Sequence, residues 1–164
     1  MEVLDLLMDQ TTSSRQELPD GWLNAETFTM MFQTNEYEDC HHIDKGAIFY
    51  LEEGARLRDY NSDYDKCSAL SGGLAYVTGH GTYFQIKSPI KTIRSLNAYQ
   101  GAVVYVEKGA TVEFRDGVNV KYSEAYEGTV AYAHDRARVI AHSDLSISFN
   151  KALKRGLFSV TGGS

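Results

Sequence analysis

Proline, cysteine and tryptophan are scarce in this chain, at two, two and one among 164 residues. With so few prolines, long stretches are free to pair inside sheets, where proline cannot donate to the ladder. Two cysteines exclude a disulfide-dense scaffold. No apolar run reaches about 18 residues, so no membrane span is expected in this segment. Basic residues are outnumbered, and a net charge of −6 argues against nucleic acid or an anionic membrane as the main partner. The first ten residues hold Glu2, Asp5 and Asp9 and no basic side chain, so they are not expected to act as a secretory signal peptide. The chain has no Asn-x-Ser/Thr triplet, no glycine-rich phosphate loop ahead of a helical pattern and no Gly-x-Ser-x-Gly.

Tyrosine (11) and glycine (14) are plentiful, which suits a β-rich chain with many turns. One phrase organises the rest. Gly46 to Tyr50 (Gly-Ala-Ile-Phe-Tyr) returns at Gly73 to Val77, Gly101 to Tyr105, Gly128 to Tyr132 and Gly156 to Val160, at steps of 27 or 28 residues. A fixed period of this size marks a stacked solenoid. The same offset lays Thr34–Cys40 over Asn61–Cys67, Met30 over Leu57 and Phe28 over Ala55, so a degenerate coil precedes Gly46.

Each coil has the same order. A strand follows the glycine, and a turn comes eight residues after it, at Gly54, Gly81, Gly109 and Arg136. The next strand alternates: Leu57, Phe84, Val112 and Val139 form an apolar column, while Arg56, Tyr83, Thr111 and Arg138 form a mostly polar one. Period-two alternation puts one face in and one face out. A third strand reads from Val118, Val120 and Tyr122, and again from Leu145, Ile147 and Phe149, with Ile90 and Ile93 in the coil before them. Ala69, Ala98, Ala125 and Ala152 then suit a tight inside corner. The fold expected is all-β: a right-handed parallel β-helix of about 27-residue coils with three short strands each. Coils begin near 19, 46, 73, 101, 128 and 156, so the repeat domain spans 19–164. Residues 1–18 form an N-terminal segment, read either as a short helical cap or as an irregular strand. Gly46, Gly73, Gly101, Gly128 and Gly156 are the expected corner glycines.

Gly72-Gly73-Leu74-Ala75 and Gly46-Ala47-Ile48 resemble the Gly-Gly-Ala-Ile element of polymorphic outer-membrane-protein repeats. Similar repeats occur in autotransporter passenger domains and in cell-surface proteins of ciliates and other protists. The resemblance covers about residues 40 to 164. It implies a parallel β-helix with an extracellular or cell-surface structural or adhesive role, and it supplies no catalytic residues.

Cys40 and Cys67 sit one repeat apart and would stack with Cα atoms about 4.8 Å apart, within disulfide range. Two readings stand: a bridge adding about 3.5 kcal/mol in an oxidising compartment, or two stacked thiols. Glu36, Glu38 and Asp39 lie over Asp63 and Asp65 near His41 and His42; this reads as a solvated corner, with a metal site as the alternative. Asp59, Asp116, Asp144, Lys87 and Arg115 are the residues that a polysaccharide lyase or hydrolase would place on one face. The short turns speak against that, and Asp135, Arg136 and Arg138 read as a solvated face. Tyr50, Tyr105 and Tyr132 share a column with Val77 and Val160, read as a packing ladder, with a sugar-binding stripe as the alternative.

The expectation is therefore a non-enzymatic module with no cofactor, no metal and no catalytic residues. Its partners would be other protein chains, packed end to end or laterally, with glycans second. A carbohydrate-active or carbohydrate-binding β-helix and an intracellular scaffold are the alternatives. The chain is expected to continue beyond residue 164 or into a partner, because its last coil opens and stops.

Overall fold

A computed structural model describes residues 29–87, 92–142 and 144–162. Val3 to Met8, the expected N-terminal cap, Phe28 and Ile90 lie outside the described residues. The chain first lays down β1 (Thr29–Gln33) and β2 (Glu36–Glu38). Four full coils follow. The first runs β3 (Phe49–Leu51), β4 (Arg56–Tyr60), β5 (Asp63–Asp65) and β6 (Ser68–Ser71). The second runs β7 (Ala75–Thr78), β8 (Tyr83–Lys87), β9 (Thr92–Arg94) and β10 (Asn97–Gln100). The third runs β11 (Val104–Glu107), β12 (Thr111–Arg115), β13 (Asn119–Lys121) and β14 (Glu124–Glu127). The fourth runs β15 (Ala131–His134), β16 (Arg138–Ala141), β17 (Ser146–Ser148) and β18 (Lys151–Lys154), and β19 (Phe158–Thr161) opens the next.

Like strands of successive coils pair in parallel, forming four sheets along the stack: β1-β4-β8-β12-β16, β2-β5-β9-β13-β17, β6-β10-β14-β18 and β3-β7-β11-β15-β19. The protein is a parallel β-solenoid. Its coils hold four strands rather than the three expected. The alanine corner is itself a strand, in which Ala69, Ala98, Ala125 and Ala152 are paired neighbours. Serine, asparagine and glutamate around those alanines are poor strand formers, and it is the neighbouring coil's backbone that holds the segment extended.

The core fills the tube. Leu57, Phe84 and Val112 are paired in register and buried, with Val139 continuing the column. Met30 pairs with Leu57, and Tyr37 with Tyr64, at the offset the sequence indicates. The Tyr37 and Tyr64 rings stack at 5.2 Å, and Phe49 meets Phe84 edge-on at 5.4 Å. Offset and edge-on aromatic contacts of this kind add to the free energy of area burial.

Several columns of left-handed backbone turn the chain, and two of them carry most of its glycines. Glu53-Gly54, Lys108-Gly109 and Asp135-Arg136 each hold two consecutive positive φ values. In each, the residue after the pair donates its N–H to the carbonyl of the residue before it, as in a type I′ turn. The other column is Gly46, Gly72, Gly101, Gly128 and Gly156, with φ between +53° and +71°. This corrects the expected Gly73. Tyr50 pairs with Tyr76 and Leu51 with Val77, one residue earlier than the repeat phrase suggests. Gly73 is needed for another reason: a Cβ there would lie 2.4 Å from the Ala102 carbonyl oxygen of the next coil.

Arg136 is the one arginine in a turn column otherwise made of glycines, with φ +61°. An L side chain in this region costs about 1–2 kcal/mol. Arg136→Gly is therefore expected to stabilise the fold by about 1 kcal/mol, raising the melting temperature by roughly 2–4 °C. A thermal melt checks this; an unchanged or lower midpoint would contradict it.

Candidate functional site

Because like residues stack, each outer face of the tube carries stripes of side chains rather than a single pocket. The face over β3, β7, β11 and β15 is a continuous tyrosine ladder. Tyr50, Tyr76, Tyr105 and Tyr132 stack with centroids 5.3, 4.9 and 5.2 Å apart. Tyr76, not Val77, fills the second rung, and Val77 points into the core at 0% exposure. Lys45 caps Tyr76 with Nζ 4.6 Å from the ring centroid. Beside the ladder runs a polar stripe. Thr78 donates to Glu107 Oε1 at 3.0 Å, His134 Nε2 lies 3.0 Å from Glu107 Oε2, and Tyr105 Oη lies 2.7 Å from His134 Nε2. Burial opposes ionisation of Glu107, but hydrogen bonds from Tyr76 and Thr78 and the nearby Lys108 outweigh it and hold the carboxyl below the usual range. Burial pushes the Tyr50 and Tyr105 phenols up to about 12, so they stay protonated hydrogen-bond donors.

The face over β4, β8, β12 and β16 carries a second network around Glu113. Tyr83 Oη donates to Glu113, Gln85 Nε2 donates to it at 2.8 Å, and His142 Nε2 lies 2.7 Å away. Burial again works against the charge, yet these hydrogen bonds and Arg115 hold Glu113 down at about 2. A carboxyl that ionised has no proton to give near neutrality, so it cannot serve as a general acid. Next to it lies a groove of about 480 Å³ lined by Arg56, His80, Tyr83, Thr111, Arg136 and Arg138.

The structure separates the carboxylates that a glycan-cleaving site would gather. Asp59 is fully buried inside the tube, with Oδ1 accepting from Ser62 Oγ at 2.6 Å. Desolvation pushes it up to about 6, but it faces no cleft. Asp116 is paired with Lys87 at 2.5 Å, and Arg115 lies against Glu113, while Asp144 is exposed. Two members of the acidic corner are ion-paired: Glu38 bonds Lys66 at 2.6 Å and Asp65 bonds Arg94 at 3.1 Å. His41 Nδ1 lies 2.7 Å from Ser68 Oγ, and His42 Nδ1 accepts from the Lys45 N–H. Among the described residues, no group of three or more His, Cys, Asp or Glu side chains is arranged to hold a metal ion.

Cys40 and Cys67 are brought together as the period indicates, but as free thiols rather than a bridge. In-register parallel stacking runs their side chains alongside each other, and each thiol turns to a carbonyl two residues back, of Glu38 and Asp65. The contact with Cys40 and burial push the Cys67 thiol up. Tyr122 and Phe149 are a further correction. The alternation placed them inward, yet they sit at φ +54° and +56°, where the chain turns, and stack on each other outside the tube at 5.2 Å.

Tyr76, Glu107, His134, Glu113 and His142 were not singled out by sequence. Only Arg136 carried a signal, as the break in a glycine column. No family model, curated protein or solved structure gives a significant match to this chain. No helix among the described residues is long and apolar enough to cross a membrane.

Proposed function

We propose that this protein is a non-enzymatic structural or adhesive module of an extracellular or cell-surface assembly, its stack extended by a further coil of the same or of another protein chain. The supporting observation is the state of its last described coil. Inside the tube, the column Phe49, Ala75, Val104, Ala131 ends at Phe158, and the column Leu51, Val77, Val106, Ala133 ends at Val160. Val104 and Val106 are fully buried, whereas Phe158 and Val160 are 41% and 74% exposed. β16, β17, β18 and β19 are the outermost strands of their sheets at this end. Apolar core side chains beside unpaired strand edges form a template for another coil. The cell-surface placement rests on the resemblance of the Gly-Gly-Leu-Ala and Gly-Ala-Ile phrases.

The non-enzymatic part rests on the carboxylates. The raised one is enclosed, and the exposed ones are ion-paired or stand apart. Incubation with polyuronates and sulfated polysaccharides is expected to yield no unsaturated or reducing-end products, and release of either product would overturn this reading.

A further inference from the structure

The groove over the long sheet is positively charged on a chain with a net charge of −6. Among the described residues, its lining contains three arginines and no carboxylate. Many cations outside the groove are paired: Lys66, Lys87, Arg94, Arg115, Lys151, Lys154 and Arg155 each have a carboxylate oxygen within 3.6 Å. Arg56, Arg136 and Arg138 make no ion pair among the described residues, and all three are exposed. Arg136 is also held in a left-handed conformation that the corresponding Gly54, Gly81 and Gly109 adopt without strain.

We propose that this groove binds an acidic oligosaccharide, with the arginines on its carboxylate or sulfate groups. The register sets the charge spacing. Arg56, Tyr83, Thr111 and Arg138 occupy one column on successive coils. Three inter-coil steps place the backbones of Arg56 and Arg138 about 14 Å apart. Between them stand Tyr83 and Thr111, hydrogen-bonding groups without charge. The complementary ligand carries sparse anionic groups separated by hydroxyl-bearing units. A nucleic-acid strand places a charge every ~3.4 Å, too dense for this pattern, and the acidic remainder of the protein repels it. Guanidinium groups take carboxylate and sulfate oxygens in a two-bond fork, which lysines would not reproduce. The glycines of the turn column leave the wall of the groove low, so that a chain can lie along it.

The proposal is independent of end-to-end stacking, because the groove lies on the side of the coils. The test is calorimetric titration of a hyaluronan hexasaccharide, which carries one carboxylate per disaccharide, into the full chain at about 50 mM salt, with a neutral glucose hexamer and a thymidine hexanucleotide as comparators. Saturable binding of the acidic saccharide alone is expected, weakening as salt rises. Arg56→Gln with Arg138→Gln should weaken it at least about tenfold, two charge-assisted contacts being lost. Arg136→Gly should weaken it several-fold while melting higher than the parent, which separates lost binding from lost fold. Absence of binding, unchanged affinity in these variants, or equal affinity for the hexanucleotide would overturn the proposal.

Discussion

Gly101→Ala is expected to destabilise the protein by about 4 kcal/mol, whereas Gly54→Ala costs only about 1 kcal/mol. Both glycines have positive φ, at +64° and +81°. The difference is what a methyl group meets. At Gly101 a Cβ would lie 2.1 Å from the Val104 carbonyl oxygen, while at Gly54 nothing lies within 4 Å. The obstacle at Gly101 is backbone and cannot swing aside. Moving it disturbs the corner where Gly73 N–H bonds the Gly101 carbonyl and Leu74 and Ala75 N–H bond the Val103 carbonyl. Both neighbouring coils depend on that corner. Urea unfolding of the two variants measures the difference; equal losses would contradict the corner geometry.

Asp59→Asn is expected to stabilise the protein at pH 7 by about 2 kcal/mol. Asp59 is fully buried, and its Oδ2 closes no well-formed hydrogen bond among the described residues, although the buried Tyr64 hydroxyl lies near enough to favour its charge slightly. Desolvation raises its pKa from 3.8 to about 6 despite the hydrogen bond from Ser62. The sign follows from proton uptake. Between about pH 4 and pH 6 the folded chain holds this proton and the unfolded chain does not, so stability falls as pH rises through that window. Above it the full penalty of a buried charge remains. Asparagine keeps an acceptor for Ser62, removes the charge and brings a donor toward Tyr64 Oη. Unfolding at pH 4 and pH 7 should show a smaller loss across that window in Asp59→Asn than in the parent. A variant less stable than the parent at pH 7 would show that the carboxylate is better solvated than its burial indicates.

Much of the fold was legible because stacking writes it into the sequence. The Leu57, Phe84, Val112 and Val139 column and the Tyr37–Tyr64 pair follow directly from the period. The slip at Gly72–Gly73 was not legible. Adjacent glycines carry no side chain to mark the corner, and Tyr76-Val77 satisfies the pattern in either register until Val77 is seen buried. A one-residue shift exchanges inside for outside, which is why the tyrosine ladder first looked interrupted. Tyr122 and Phe149 were misread because alternation ends at a left-handed residue, which a string of letters does not reveal. The Glu113 and Glu107 networks join residues about one coil apart, such as Gln85 with Glu113 and Thr78 with Glu107. Those contacts emerge only once the coils are in register. The arginine groove has the same origin: Arg56 and Arg138 were visible as one polar column and Arg136 as the break in the glycines, but not that they line one groove.

If the module works by extending its stack, covering the last coil is the property on which its role depends. Sedimentation velocity across a range of concentrations tests this most directly, comparing the parent with the double variant Phe158→Glu and Val160→Lys. The prediction is a parent that forms species larger than the 18.3 kDa chain, and a folded variant that sediments as the monomer. A parent that stays monomeric at every concentration, or a variant that associates as the parent does, would contradict it.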